Sequence, residues 1–201
     1  MAYPTVSAPY GFKPINRYDG MPYAGATLQF PVTSGQAVFN GQVVAQVAGG
    51  TVSPIADLTA ESILAVGVCV GVQYTNSMGQ TVQAQYAPAS GVTNVIAYVV
   101  VDPAAEFKVA VTTSAPGVMS TVTAAVVGSN MLGVTGTGNT NTGDINSSVY
   151  GASAGATATH LFRVIAVVPE TAVTSTTFCE VIVKFNGTWH QMLSTTGTAL
   201  S

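Results

Sequence analysis

An all-β fold, a β-barrel or a β-sandwich of the jelly-roll or β-tulip-like kind, is predicted by three features of this 201-residue chain. From Thr27 onward, short apolar or alternating runs rich in Val and Thr follow one another, the composition of half-buried strands. Gly, Asn and Pro separate those runs at turn spacing. No stretch shows the strand-then-helix alternation of a parallel α/β sheet.

The elements follow in order. Residues 1–26 carry Pro4, Pro9, Pro14 and Pro22; each fixes its own φ and pushes its predecessor toward extended geometry. Tyr3, Tyr10, Phe12, Tyr18 and Tyr23 follow neither a helical nor a strand period, so they form no face of a local element. This is an extended N-terminal arm whose aromatics pack on another surface. The alternative is that it folds back on its own body as an extra edge strand.

Residues 27–201 form the β-rich body. Its strands are predicted at "TLQFPV", "QAVFNGQVVAQV", "SILAVGVCVGVQY", "TVQAQYA", "NVIAYVVVD", "EFKVAV", "HLFRVIAVV" and "FCEVIVKF". Asn40-Gly41 and Gly49-Gly50 read as hairpin turns, and Asp102-Pro103 as a turn followed by a strand on which Glu106 and Lys108 point the same way and form an exposed ion pair of little energetic weight. Met119, Val122, Val126 and Val127 recur near helical spacing before Gly128, which predicts one short helix near 118–127; their β-branched content counts against it. The tract at about 133–148, "GVTGTGNTNTGDINSS", has little apolar surface and reads as a long exposed loop.

Charged residues make up 6% of the chain, against roughly 25% in an average soluble domain. Interspersed charge normally keeps a free monomer soluble, so this surface fits a chain that assembles or docks on something larger. Lys13, Arg17, Lys108, Arg163 and Lys184 are scattered and the net charge is -3, which argues against nucleic acid as a partner. The longest apolar run, "ILAVGVCVGV", is about half the ~20 residues of a membrane helix, so no membrane is expected. The first residues lack the basic start and apolar core of a signal peptide, which predicts synthesis in the cytoplasm. Cys69 and Cys179 each lie inside an apolar run and read as small buried hydrophobes, a disulfide between them being the alternative.

No catalytic constellation emerges. "GASAG", residues 151–155, matches G-x-S-x-G with Ser153 in the nucleophile position, and Glu170 or Glu180 and His190 follow in workable order. The motif acts only at a strained strand-to-helix elbow, and neither a long preceding strand nor a following helix is predicted. His160 and His190 are the two histidines, too far apart for metal-ligand spacing. Asp144 stands alone among neutral oxygens, which does not satisfy a hard cation. No enzyme, metal or cofactor is therefore expected.

The strings "APYGFKPINRYDGMPYAGATLQFPV", "GQAVFNGQVV", "VGVCVGVQY", "AYVVVDPAAEFKV", "FRVIAVVPET" and "EVIVKFN" resemble a family of small structural proteins of tailed bacteriophages, the head decoration or cement proteins. The resemblance implies a homotrimer on the outer surface of the virion capsid, bridging subunits of the major capsid protein and stabilising the shell. On that reading the arm residues Tyr10, Phe12, Arg17, Tyr18 and Tyr23 bind the capsid. The competing expectation is a fibre or adhesin-like module whose 133–148 loop contacts the host surface.

Overall fold

The structure is a computed structural model and describes residues 7–171 and 178–194. In chain order the strands are β1 (Lys13–Arg17), β2 (Leu28–Pro31), β3 (Val38–Phe39), β4 (Gln42–Gln46), β5 (Val52–Pro54), β6 (Gly67–Asn76), β7 (Thr81–Ala84) and β8 (Tyr86–Ala87). They continue as β9 (Val92–Val100), β10 (Ala105–Thr112), β11 (Asn130–Met131), β12 (Gly133–Val134), β13 (Ser148–Tyr150), β14 (Phe162–Val167) and β15 (Glu180–Phe185). Helical structure among the described residues amounts to single 3-10 turns, so the all-β expectation holds.

One sheet runs β2-β9-β6-β4-β5. The long strand β6 is shared along one edge: β4 pairs with its first half at Gly67 to Cys69, and β7 with its second half at Val72 to Thr75. Beyond β2, Val32 bridges to Val52 and the Thr33 N–H donates to the Val52 carbonyl at 2.9 Å. That contact draws the β2 end of the sheet round to β5, and the sheet nearly closes into a barrel. Val44, Val66, Cys69, Val72, Ala97 and Val99 fill its inside. Burying each Val side chain contributes about 1.5–3 kcal/mol, and the alternation of strands such as β9 supplies these residues from one face.

The second sheet runs β11-β14-β15-β10-β13-β12, with β1 added to β10. Its inner face presents Phe107, Val109, Phe162, Val181, Val183 and Phe185 to a core that also takes in Val43, Val68 and Val100 from the barrel sheet. Asp102-Pro103 forms the expected turn, the Ala105 N–H donating to the Asp102 carbonyl at 3.0 Å, and that turn carries the chain from one sheet to the other: β9 pairs with β2 and β6, while β10 pairs with β1, β13 and β15. The Asp102 carboxylate accepts the Ala104 N–H at 2.8 Å and fixes this corner. Charge is segregated accordingly. The strands β2 to β9 carry no charged side chain, and those of the second sheet carry Lys13, Arg17, Glu106, Lys108, Arg163, Glu180 and Lys184.

Several expectations are corrected. The helix near 118–127 reduces to one 3-10 turn at Ala124–Val126, capped by the Thr123 hydroxyl; β-branched Val122, Thr123, Val126 and Val127 disfavour anything longer. The hairpin read at Asn40-Gly41 is absent, because β3 pairs with β8 and β4 with β5 and β6. Glu106 and Lys108 do not pair with each other: Lys108 Nζ lies 3.5 Å from Glu180 Oε1.

The 133–148 tract is packed rather than exposed. β12 pairs with β13, Gly138 bridges to Ile145, and Val134, Ile145, Ser147 and Ser148 are buried. The Asn40 N–H donates to the Gly143 carbonyl at 3.0 Å and the Ile145 N–H to the Asn40 carbonyl at 3.1 Å. Lys13 Nζ meets Asp144 Oδ1 at 2.5 Å. Backbone hydrogen bonds to the body thus supplement the little apolar burial the tract has, and the exposed part shrinks to Thr137 and the tip at 139–142.

Candidate interaction surface

The N-terminal segment is built into the body before it reaches the surface. Gly11 takes a φ of +79°, and a Cβ there would come within 2.8 Å of the Gly41 carbonyl oxygen. This close approach, sealed by the Phe12 N–H donating to that oxygen at 3.0 Å, turns Phe12 inward. Phe12 is fully buried and stacks on Phe162 with ring centroids 4.6 Å apart. The Tyr10 hydroxyl donates to the buried Glu180 carboxylate, with Lys108 beside both. Burial first, and the Glu180 hydrogen bond second, push the Tyr10 phenol far above its ordinary range.

β1 then pairs antiparallel with Ala105 to Lys108 of β10, and β13 takes the next part of β10 at Val111 and Thr112. Residues 13–17 are therefore an edge strand of their own body, as the fold-back alternative had it; residues 1–6 of the expected arm, with Tyr3 and Pro4, lie outside the described residues, and among those described the boundary at 26 does not mark a free arm. Of the five residues expected to bind a capsid, Tyr10 and Phe12 face inward.

The other three lie at the end of β1 and in the reversal that follows it. The chain reverses at Gly20, whose φ is +82°; the Arg17 N–H donates to the Met21 carbonyl at 2.8 Å and Asn16 bridges to Pro22. Tyr18 is 61% exposed and Met21 58% exposed at this reversal. Lys184 Nζ sits 4.5 Å from the centroid of the Tyr18 ring, a cation–π contact that orients it. Arg17 is committed locally, to Asp19 at 3.3 Å and Asp102 at 3.2 Å. Tyr23 is half-buried and its hydroxyl donates to the Ala26 carbonyl at 2.6 Å. Burial, then the Asp102 charge, raises its phenol.

The result is an apolar tip of Tyr18 and Met21 whose neighbouring charges neutralise one another. Such a surface favours an apolar, uncharged counterpart over an ionic one. Met21 escaped sequence reasoning, although its place after Asp19-Gly20 in a turn was a usable signal.

The enzyme-like residues are separately engaged. The Ser153 hydroxyl donates to the Tyr150 carbonyl at 2.6 Å and accepts the Leu132 N–H at 2.9 Å. His190 lies in the core with its ring edge-on to Phe185, and Nδ1 accepts the Met192 N–H at 3.2 Å. Cys69 and Cys179 are buried free thiols, and burial pushes Cys69 up to about 12. Among the described residues no group of three or more His, Cys, Asp or Glu could hold a metal ion, and no helix is long and apolar enough to cross a membrane.

Burial holds His190 down to about 4, below its ordinary 6.5, partly offset by the Asp102 charge. The unfolded chain binds this proton more readily than the folded one, so the stability tied to neutral His190 is complete above pH 6.5 and lost as pH falls toward 4. One pKa unit corresponds to about 1.4 kcal/mol, so the loss is on the order of 3 kcal/mol. Burial raises Glu106, which acts in the opposite sense, so the signal is the difference between native protein and His190→Gln. Urea midpoints measured across that window should fall more steeply with acid for the native protein than for the variant.

Compared with known proteins, the chain matches no family model, and neither a curated protein nor a solved structure shows significant similarity to it.

Proposed function

We propose that this chain is a bacteriophage capsid decoration protein, a homotrimer that sits on the outside of the shell and bridges subunits of the major capsid protein. The observation that carries the reading is the hairpin tip of Tyr18 and Met21, exposed and charge-neutralised yet rigidly mounted. β1 fixes its base through the buried Phe12 and the Tyr10–Glu180 contact. A rigid aromatic presented this way binds with little further ordering cost, which is what a small cement contact needs. The charge-poor composition and the lack of charge on strands β2 to β9 fit a protein whose surface is largely covered in an assembly.

This reading reverses the role first expected of the arm. Tyr10 and Phe12 hold the hairpin, Arg17 and Tyr23 shape it, and Tyr18 with Met21 makes the contact. Purified protein is expected to cosediment with empty expanded capsids. The double variant Tyr18→Ala, Met21→Ala should bind at least ~10-fold more weakly, a loss of about 1.4 kcal/mol or more, with an unchanged melting temperature. Equal binding by the variant, or no cosedimentation of the native protein, would sink the proposal.

A further inference from the structure

A β-sheet margin is a row of unpaired N–H and C=O groups, which proteins blunt with charge, proline, bulges or covering chain. In this fold the chain covers most of its own margins. The outer side of β1 is bridged at Asn16 by Pro22, that of β11 at Asn130 by Gly155, and that of β5 at Val52 by Val32. The Gly133 N–H of β12 donates to the Leu58 carbonyl at 3.0 Å.

Two stretches of the barrel sheet's margin are left open among the described residues, Leu28 to Phe30 of β2, ahead of the Val32–Val52 closure, and β7. β2 pairs on one side with β9, and β7 on one side with β6. No further backbone partner meets Leu28 to Phe30 or Thr81 to Ala84. Both strands are four residues long and neither carries a charge. β7 has no proline either, and β2 has Pro31 only at its end. An exposed apolar side chain flanks each: Leu28, 49% exposed, opens β2, and Met78, 82% exposed, crowns the β6–β7 turn. That turn is held rigid, since the Asn76 side-chain oxygen accepts the N–H groups of Met78 and Gln80 at 2.9 and 3.0 Å.

We infer that copies of this chain associate edge to edge, the β2 margin of one copy pairing with the β7 margin of the next, so that the barrel sheets run on through a closed ring. The occupant is a second copy because the two open margins belong to one sheet and match in length and neutrality. Pairing about a two-fold axis, β7 with β7, would cover one margin and leave β2 open; the head-to-tail arrangement covers both with one kind of contact. A heterologous contact that closes gives a ring, and one that does not gives a filament. The inference deepens the homotrimer within the proposed function and rests on that part of it alone. It is independent of the Tyr18 and Met21 contact, so loss of assembly and loss of capsid binding are read separately.

Light scattering on the purified protein tests assembly, and bismaleimide cross-linking tests its polarity. The native protein should be a ring oligomer, and Thr81→Lys with Gln83→Lys should reduce it to monomer with unchanged circular dichroism. Gln29→Cys and Gln83→Cys, each alone, should remain uncross-linked, since Cys69 and Cys179 are buried. An equimolar mixture of the two should yield dimers containing one of each, and the double variant a ladder ending at the ring size. A monomeric native protein overturns the inference, as does cross-linking by Gln83→Cys or Gln29→Cys alone. So does an oligomer of the double-lysine variant as large as the native one. Should the lysine pair unfold the protein, the cross-linking arm decides alone.

Discussion

Phe12→Ala is expected to lower the unfolding free energy by about 3–5 kcal/mol, the range for deleting a fully buried Phe. The ring is fully buried, stacks on Phe162 and belongs to the core shared by both sheets. Its neighbours are themselves fixed by β14 and β15, so the cavity has little room to collapse. The loss should appear as a lower urea midpoint with an unchanged slope, the sign of reduced stability without a change in the surface exposed. Tyr18→Ala is the control: an exposed aromatic nearby in sequence should cost within about 0.5 kcal/mol. If both variants unfold alike, the N-terminal segment is not docked as described, and the rigid mounting of the Tyr18 hairpin goes with it.

Gly67→Ala should be at least as damaging. Gly67 opens β6 where the barrel sheet is most crowded, and a Cβ there would land on the Val100 carbonyl oxygen, with the Val99 Cγ1 at 3.0 Å. The obstacle is backbone of β9, which is held on both sides by β2 and β6, and it cannot turn aside as a flexible side chain would. Overpacking typically costs 1–3 kcal/mol, and displacing a central strand takes the cost to about 4 kcal/mol or beyond. Gly79→Ala is the informative comparison. Its φ is +77° but nothing lies within 4 Å, so only the left-handed backbone penalty of about 1–2 kcal/mol applies. Soluble yield and melting temperature of the two variants should separate widely; equal behaviour would mean the β6–β9 approach is looser than described.

The strands were legible because their signal is local. Val and Thr alternation locates β6, β9, β10, β14 and β15, and Gly49-Gly50 marks the turn between β4 and β5, where both glycines take positive φ. What escaped reading depended on partners distant in sequence. Asn40-Gly41 looks like a hairpin turn, yet Gly41 is there to let Gly11 approach. Tyr10 and Phe12 have no local period because their partners, Glu180 and Phe162, lie far along the chain. Val134 and Ile145 are the two apolar residues of a polar tract, and these anchors plus backbone bonding to Asn40 suffice to order it. Of the surface, Tyr18 was visible as an aromatic without a local face; the neutralisation of Arg17 by Asp102 was not.

The way β1 shares β10 also orders events in time. Tyr10 reaches a partner 170 residues further along, and β10 itself is completed by β15. Contacts of such separation close late. As the chain leaves the ribosome, the first strand made must wait for β10 before it can pair, and Phe12 has no seat until Phe162 has been made. A translation product cut short before β15 would hold a bare β10 and a loose aromatic segment, the combination that recruits aggregation. Completion of the body, and with it the mounting of the Tyr18 hairpin, is thereby tied to synthesis of the whole chain through β15.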